Sequence, residues 1–151
     1  DKLNAKLILV GEIDEYLKNK FDVINPLKTE LISWMSSVEL QEYFKKADVL
    51  VLFGNQSSLQ VPGKLYEYLS LRKPILYLHL DLENDPILQI MKNFNYVFPV
   101  SNNNLEMKLL TTMEKIEAIL KQNIPSNYDN YYSWNQIANR MILQLKKIDE
   151  K

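Results

Sequence analysis

Two stretches of this chain are short apolar runs closed by glycine, Ala5-Lys6-Leu7-Ile8-Leu9-Val10-Gly11 and Val49-Leu50-Val51-Leu52-Phe53-Gly54. Neither alternates polar with apolar residues, so neither reads as a strand with one wet face. Each reads as a strand buried on both faces, the pattern of parallel sheets covered by helices. That single feature excludes most all-α and all-antiparallel architectures and sets the frame for the rest of the chain.

The segments between the runs alternate as a parallel sheet requires. Glu12 to Lys20 suits a helix, Phe21 to Pro26 has no clear assignment, and Leu31-Ile32-Ser33-Trp34 reads as a second strand. Ser36 with Glu39 three residues on has the spacing of a capping box, opening a helix over Leu40 to Lys46. After the Val49–Gly54 strand, the polar loop Asn55 to Gln60 leads through Pro62-Gly63 into a helix over Lys64 to Arg72. There Leu65, Tyr68, Leu69 and Arg72 share the i, i+3, i+4, i+7 face. Pro74 to Leu80 is a further strand, Asp85-Pro86 opens a helix through Met91 to Asn93, and Tyr96-Val97-Phe98 is a last short strand. The stripe Leu109, Met113, Ile116 and Leu120 marks a helix over Leu105 to Gln122. A linker over Asn123 to Tyr132 precedes a closing helix that starts at the Ser133/Gln136 capping box. Strand and helix in alternation predict an α/β domain with one doubly wound, Rossmann-like parallel sheet.

Composition narrows function by exclusion. The chain has 151 residues, enough for one domain with a sizeable core, and no cysteine, which removes disulfides, Cys-ligated zinc and a thiol nucleophile. Its formal net charge is −1 with basic and acidic residues mixed throughout, so no basic face predicts a nucleic-acid partner. No apolar run approaches the roughly 20 residues that cross a bilayer, and no signal-peptide pattern opens the chain. A cytoplasmic location is the expectation.

In a doubly wound sheet, ligands bind outside the carboxyl ends of the strands. The loops in question are Gly11-Glu12, Ser33 to Ser36, Gly54 to Gly63, His79 to Asp85 and Val100 to Asn104. The stretch Gly54 to Glu67 carries the most chemistry. Pro62-Gly63 delivers the chain into a helix N-terminus, where backbone N–H groups and the helix dipole favour phosphate. Gly63 admits close backbone approach, Lys64 adds a cation, and Glu67 lies one turn on, where a carboxylate accepts hydrogen bonds from two neighbouring sugar hydroxyls. Phosphate beside ribose describes a nucleotide. The plainer alternative remains open: Pro-Gly also punctuates ordinary helix starts, and Lys and Glu in a first turn often only face water. The glycines at 11, 54 and 63 make neither G-x-G-x-x-G nor a P-loop.

The segment Pro62-Gly63-Lys64-Leu65-Tyr66-Glu67-Tyr68-Leu69-Ser70-Leu71-Arg72-Lys73-Pro74-Ile75-Leu76 resembles the donor-site segment of retaining family 4 glycosyltransferases with the two-domain GT-B fold. Glu39 through Val49, with its Lys-Lys-Ala-Asp-Val ending, is similar to the helix and strand start that frame that site, and Ser133-Trp134 resembles the family's closing helix. The resemblance implies that the chain is the C-terminal donor-binding half of such an enzyme. Its ligand would be a nucleoside diphosphate sugar of the UDP or GDP type, with no further cofactor and no bound metal. Glu67 would match the second glutamate of the E-x7-E element and hold the donor ribose, while Gly63 and Lys64 would match the backbone beside the diphosphate. The first glutamate of that element falls at Leu59, which cannot contact the sugar as a carboxylate does. Gly54, Ser33 and Trp34 are expected in the donor loops, the last two near the base; no catalytic residue is assigned.

The same resemblance aligns Leu7 to Gly11 with the second strand of the donor domain. It therefore implies a preceding first strand and an N-terminal acceptor domain, and an activity that belongs to the full-length enzyme rather than to this piece. Polysaccharide or lipopolysaccharide assembly, with peripheral association at the cytoplasmic membrane face, is the setting it implies.

Other residues keep two readings each. His79, the single histidine, ends a strand and either faces the ligand or is structural. Asp81, Glu83 and Asp85 either attract a divalent ion or form a solvated loop, and Tyr128, Tyr131 and Tyr132 either stack on sugars or pack on a sheet edge. A non-catalytic nucleotide-binding or receiver-like module is the alternative function. A receiver needs acidic residues clustered at strand ends, and only Glu12 and Asp14 come near.

Overall fold

Parallel strands and helices alternate along the chain in a computed structural model that describes residues 5–24, 28–57, 61–81, 85–122 and 139. The chain divides into two compact units, Asp1–Ala47 and Asp48–Lys151.

The first unit runs β1 (Leu7–Val10), α1 (Glu15–Ile24), β2 (Thr29–Ile32) and α2 (Ser37–Lys46). The strands pair in parallel with Leu7 opposite Thr29 and Val10 opposite Ile32, and the ladder is closed by Leu7 N–H to Lys28 O at 2.8 Å and Gly11 N–H to Ile32 O at 3.0 Å. The β1 run forms a strand, but it is not buried on both faces: Leu7 and Ile8 are 37% and 41% exposed. The pair has no third strand to flank it among the described residues, so the apolar run stays accessible. At the start of α2, the Ser36 hydroxyl accepts from Glu39 N–H at 3.3 Å while the Glu39 carboxylate accepts from Ser36 N–H at 2.9 Å. Both halves of the capping box are made, and the helix begins at Ser37, three residues before the predicted start.

The second unit holds β3 (Leu50–Phe53), α3 (Gly63–Ser70), β4 (Ile75–His79), α4 (Pro86–Met91), β5 (Val97–Ser101) and, after a short 3-10 turn over Asn102–Asn104, α5 (Leu105–Leu120). Its sheet has the order β3-β4-β5, all parallel, with Leu50 opposite Ile75 and Ile75 opposite Val97. Register and the two-residue period of a strand sort the side chains by face. Leu76 and Val100 lie on one face and form a buried cluster with Ile116 of α5; Val51, Leu78, Phe98, Leu105, Leu109 and Met113 pack against it. Leu50, Leu52, Ile75 and Tyr77 lie on the other face, where α3 packs on β3 and buries Leu65, Tyr68 and Leu69. Ile116 and Leu65 are both 0% exposed, and burial at that level stabilises the fold by roughly 2 kcal/mol per side chain.

Several expectations shift. The parallel α/β character holds, whereas the strands are hydrogen-bonded as two sheets, of two and three strands, rather than one. α3 ends at Ser70, and Arg72 leaves the helical face because it adopts φ 52°, the left-handed conformation that reverses the chain after a helix. β5 extends past the predicted Phe98 to Ser101. Ile75 N–H bonds Tyr96 O at 2.9 Å, so the odd residues of β5 direct their amide positions away from β4, and Pro99 removes no ladder bond. Leu120, in the last turn of α5, is exposed. The linker tyrosines 128, 131 and 132, Leu59, Glu83 and most of the closing helix lie outside the described residues.

Candidate functional site

The carboxyl ends of the strands carry the candidate residues in each unit. In the first unit, the chain leaves β1 at Gly11, whose φ of 137° is open to glycine and strained for any other residue. It then passes through Glu12 to α1, where Asp14 O accepts from Lys18 N–H at 3.0 Å. Beside it, β2 ends at Ile32 and runs into Ser33 and Trp34. The two exits enclose an open cleft of about 870 Å³ lined by Gly11, Glu12, Asp14, Lys18, Ser33 and Trp34, among others. The structure thus brings Ser33 and Trp34 together with Glu12 and Asp14. Trp34 is 76% exposed, so its ring is available on the cleft wall.

In the second unit, β3 ends at Phe53 and Gly54, and the chain re-emerges at Pro62 to start α3. Gly54 is a packing glycine: a Cβ there would lie 2.9 Å from the Tyr77 hydroxyl and 3.3 Å from both His79 Cα and Leu78 O. Strand β4 therefore accounts for its identity. Gly63 differs. Its φ lies outside the left-handed region, and a Cβ built on it meets nothing within 4 Å, so neither conformation nor packing calls for glycine at the first residue of α3. Pro62 supplies no side-chain cap, and Lys64 is exposed. Glu67 is half-buried on the same helix, next to the buried Tyr68. Burial, with the neighbouring Glu67 charge, pushes the Tyr68 phenol above its ordinary value.

The exits of β4 and β5 form a polar cluster that local sequence did not announce. His79 and Ser101 are register partners at the ends of adjacent strands. Asp81, at φ 55°, turns its carboxylate back so that the Ser101 hydroxyl and the Asn103 amide (2.9 Å) both donate to Oδ2. Ser101 Oγ in turn accepts from Asn103 N–H at 3.1 Å. The Ser101 bond, above all, holds the Asp81 carboxyl below the usual carboxylate range, with Asn103 and nearby positive charge adding to it. Asp81 N–H donates to His79 Nδ1 at 3.3 Å, and the His79 ring stacks on Tyr77 with centroids 5.6 Å apart. The signal that would have found this cluster is the strand register, which brings residues 20 apart into contact.

Of the carboxylates read either as an ion-attracting run or as a solvated loop, Asp85 fits neither: it is buried, accepts from the Tyr77 hydroxyl at 2.6 Å and from Ile87 N–H at 2.8 Å, and caps α4. Asp81 is taken up by Ser101 and Asn103. Among the described residues no group of three or more His, Asp or Glu side chains is placed to hold a metal ion, and no helix is long and apolar enough to cross a membrane.

Set against known protein families, curated proteins and solved structures, the chain matches none of them.

Proposed function

We propose that the chain binds the nucleotide part of a nucleoside diphosphate sugar and is the donor-binding half of a glycosyltransferase. The observation that carries this reading is Gly63. A glycine that neither backbone conformation nor neighbouring atoms call for opens α3 at the carboxyl end of β3, with Lys64 beside it and Glu67 one turn on. Uncapped helix N-termini accept phosphate through N–H groups and dipole, and the missing side chain leaves room for the phosphate oxygens to approach. Glu67 then accepts from the ribose hydroxyls.

The work of such a site is positioning of the donor and stabilisation of the leaving diphosphate as its bond to the anomeric carbon breaks. The acceptor half, and transfer itself, belong on this reading to the full-length enzyme of polysaccharide or lipopolysaccharide assembly. The test is calorimetric titration of the chain with UDP, GDP and ADP. Binding of a nucleoside diphosphate that weakens about tenfold in Glu67→Ala, with the melting temperature unchanged, is the expected result. Equal affinity in the variant removes Glu67 from the site, and no binding of any nucleotide rejects the reading.

A further inference from the structure

His79 is the chain's single histidine, and only 12% of its side chain is exposed. It ends β4 two residues on from Tyr77, so it shares the sheet face on which α3 packs. Its Cα lies 3.3 Å from a Cβ built on Gly54, which sets it beside the β3 exit, and α3 starts at that same carboxyl end of the sheet. All of these residues belong to the second unit. The ring is fixed on one side only. It stacks on Tyr77 with centroids 5.6 Å apart, Nδ1 accepts from Asp81 N–H at 3.3 Å, and Asp81 Oδ1 lies 3.3 Å from the same nitrogen. Nε2 has no partner among the described residues, yet no buried side-chain nitrogen or oxygen there lacks one, so Nε2 reaches solvent. A neutral ring whose Nδ1 accepts carries its hydrogen on Nε2, and a protonated ring turns Nδ1–H to Asp81 Oδ1 and keeps the Nε2 hydrogen. In both states the one open polar atom is a donor.

We infer that His79 grips the diphosphate of the bound nucleotide, its Nε2–H donating to a phosphate oxygen, and that protonation of the ring tightens the grip. The inference rests on the nucleotide-binding reading above and adds a residue to it. The selection follows from charge. Nε2–H is a donor only, and the phosphates are the part of a nucleotide that offers acceptors and negative charge together. A hydrogen bond between charged partners is about twice as strong as one between neutral groups, and a ring this enclosed is poorly screened by water. The carboxylates around the ring are already engaged: Asp81 accepts from Ser101 and Asn103, and Asp85 at the α4 cap accepts from Tyr77 and Ile87 N–H. Lys108 of α5 acts on Asp81, and Lys64 and Glu67 stand on α3 at the same end of the sheet. Gly54 and Ser101, at the exits of β3 and β5, bring no charge. The contact at Nδ1 orients the imidazole and decides which nitrogen faces outward.

The experiment is nitrogen NMR of the imidazole, unambiguous with one histidine, across a pH series with and without UDP, GDP or ADP, joined to calorimetric titration of the parent, His79→Phe and His79→Gln. His79→Phe keeps a ring on Tyr77 and removes the donor, while His79→Gln keeps an N–H donor and removes the ring. In the free chain the neutral ring should carry its hydrogen on Nε2. A saturating nucleoside diphosphate should raise the pH midpoint of the ring by at least about 0.5, the displacement that roughly threefold tighter binding to the protonated ring produces. His79→Phe should weaken the diphosphate about tenfold near pH 6 and no more than about threefold near pH 8, and His79→Gln should recover part of the loss. The NMR uses the parent chain alone, so it decides the question even where a variant fails to fold. A midpoint unmoved by a nucleotide that binds, a neutral ring protonated on Nδ1, or a His79→Phe loss equal at both pH values overturns the grip and leaves the nucleotide reading standing. Failure of the parent to bind any of the three nucleotides rejects both.

Discussion

The Tyr77 hydroxyl donates to Asp85 Oδ2 at 2.6 Å, joining the middle of the central strand β4 to the first turn of α4 with both side chains buried. Asp85 Oδ1 simultaneously accepts from Ile87 N–H, so one carboxylate terminates a helix and satisfies a core phenol. Tyr77→Phe leaves a buried carboxylate oxygen without its donor and is expected to destabilise the chain by about 1–3 kcal/mol. Asp85→Ala loses the helix cap as well, adding roughly 1 kcal/mol. Urea denaturation of the two variants checks the ranking.

The same pair sets the alkaline behaviour. Burial, and then the Asp85 bond, push the Tyr77 phenol far above its ordinary value. Below about pH 10 both folded and unfolded chains keep that proton and the contribution is complete. As pH rises further the unfolded chain ionises first, and stability falls. Tyr77→Phe should flatten this alkaline loss in a pH series of denaturation midpoints, with the residual slope left to groups such as Tyr68, also raised by burial.

On the acid side the capping box is the test. The Ser36 hydroxyl, and then the Ser36 backbone, hold the Glu39 carboxyl below its ordinary value of 4.5. Its contribution is present above that value and is lost as pH falls through the lowered native one. Ser36→Ala and Glu39→Gln should each lower the melting temperature near pH 7; the Glu39→Gln difference should shrink as pH falls through the lowered native value, whereas part of the Ser36→Ala difference should persist because the hydroxyl also accepts from Glu39 N–H.

The glycines separate packing from binding. Gly54→Ala forces a methyl to within 2.9 Å of the Tyr77 hydroxyl and is expected to destabilise the chain by about 1–3 kcal/mol. Gly63→Ala meets open space and is expected to leave stability unchanged or slightly raised, while it weakens nucleoside diphosphate binding by crowding the phosphate. Melting curves paired with titrations on both variants read the two effects separately.

Ser101 serves two partners, as donor to Asp81 and as acceptor from Asn103 N–H at the start of the turn into α5. Ser101→Ala should destabilise by about 1–2 kcal/mol, more than Asn103→Ala, and should speed amide exchange at Asn103.

Much of the local structure was legible. The capping box at Ser36/Glu39, the Asp85-Pro86 helix start and the glycine-closed strands all rest on interactions between residues a few positions apart, which any chain with those residues makes. The Leu65, Tyr68 and Leu69 stripe was readable for the same reason, while Arg72 was not, since helix length is set by where the chain must turn back to β4. For the candidate site, Gly63, Lys64 and Glu67 are placed by one short helix and follow from sequence alone. That Glu12 and Trp34 line one cleft does not, because it depends on β1 and β2 lying side by side in register.

The order of residues determined by itself that the chain would alternate parallel strands with helices and where most of those elements would start. Only tertiary structure decided that the strands form two sheets, that Gly54 serves the core while Gly63 does not, and that Asp81 binds Ser101 rather than standing with Asp85. The physical reason is range: caps and periodicity act over one or two turns, whereas strand register and close packing join residues 20 or more positions apart, and no local pattern specifies which of many such pairings buries the most surface.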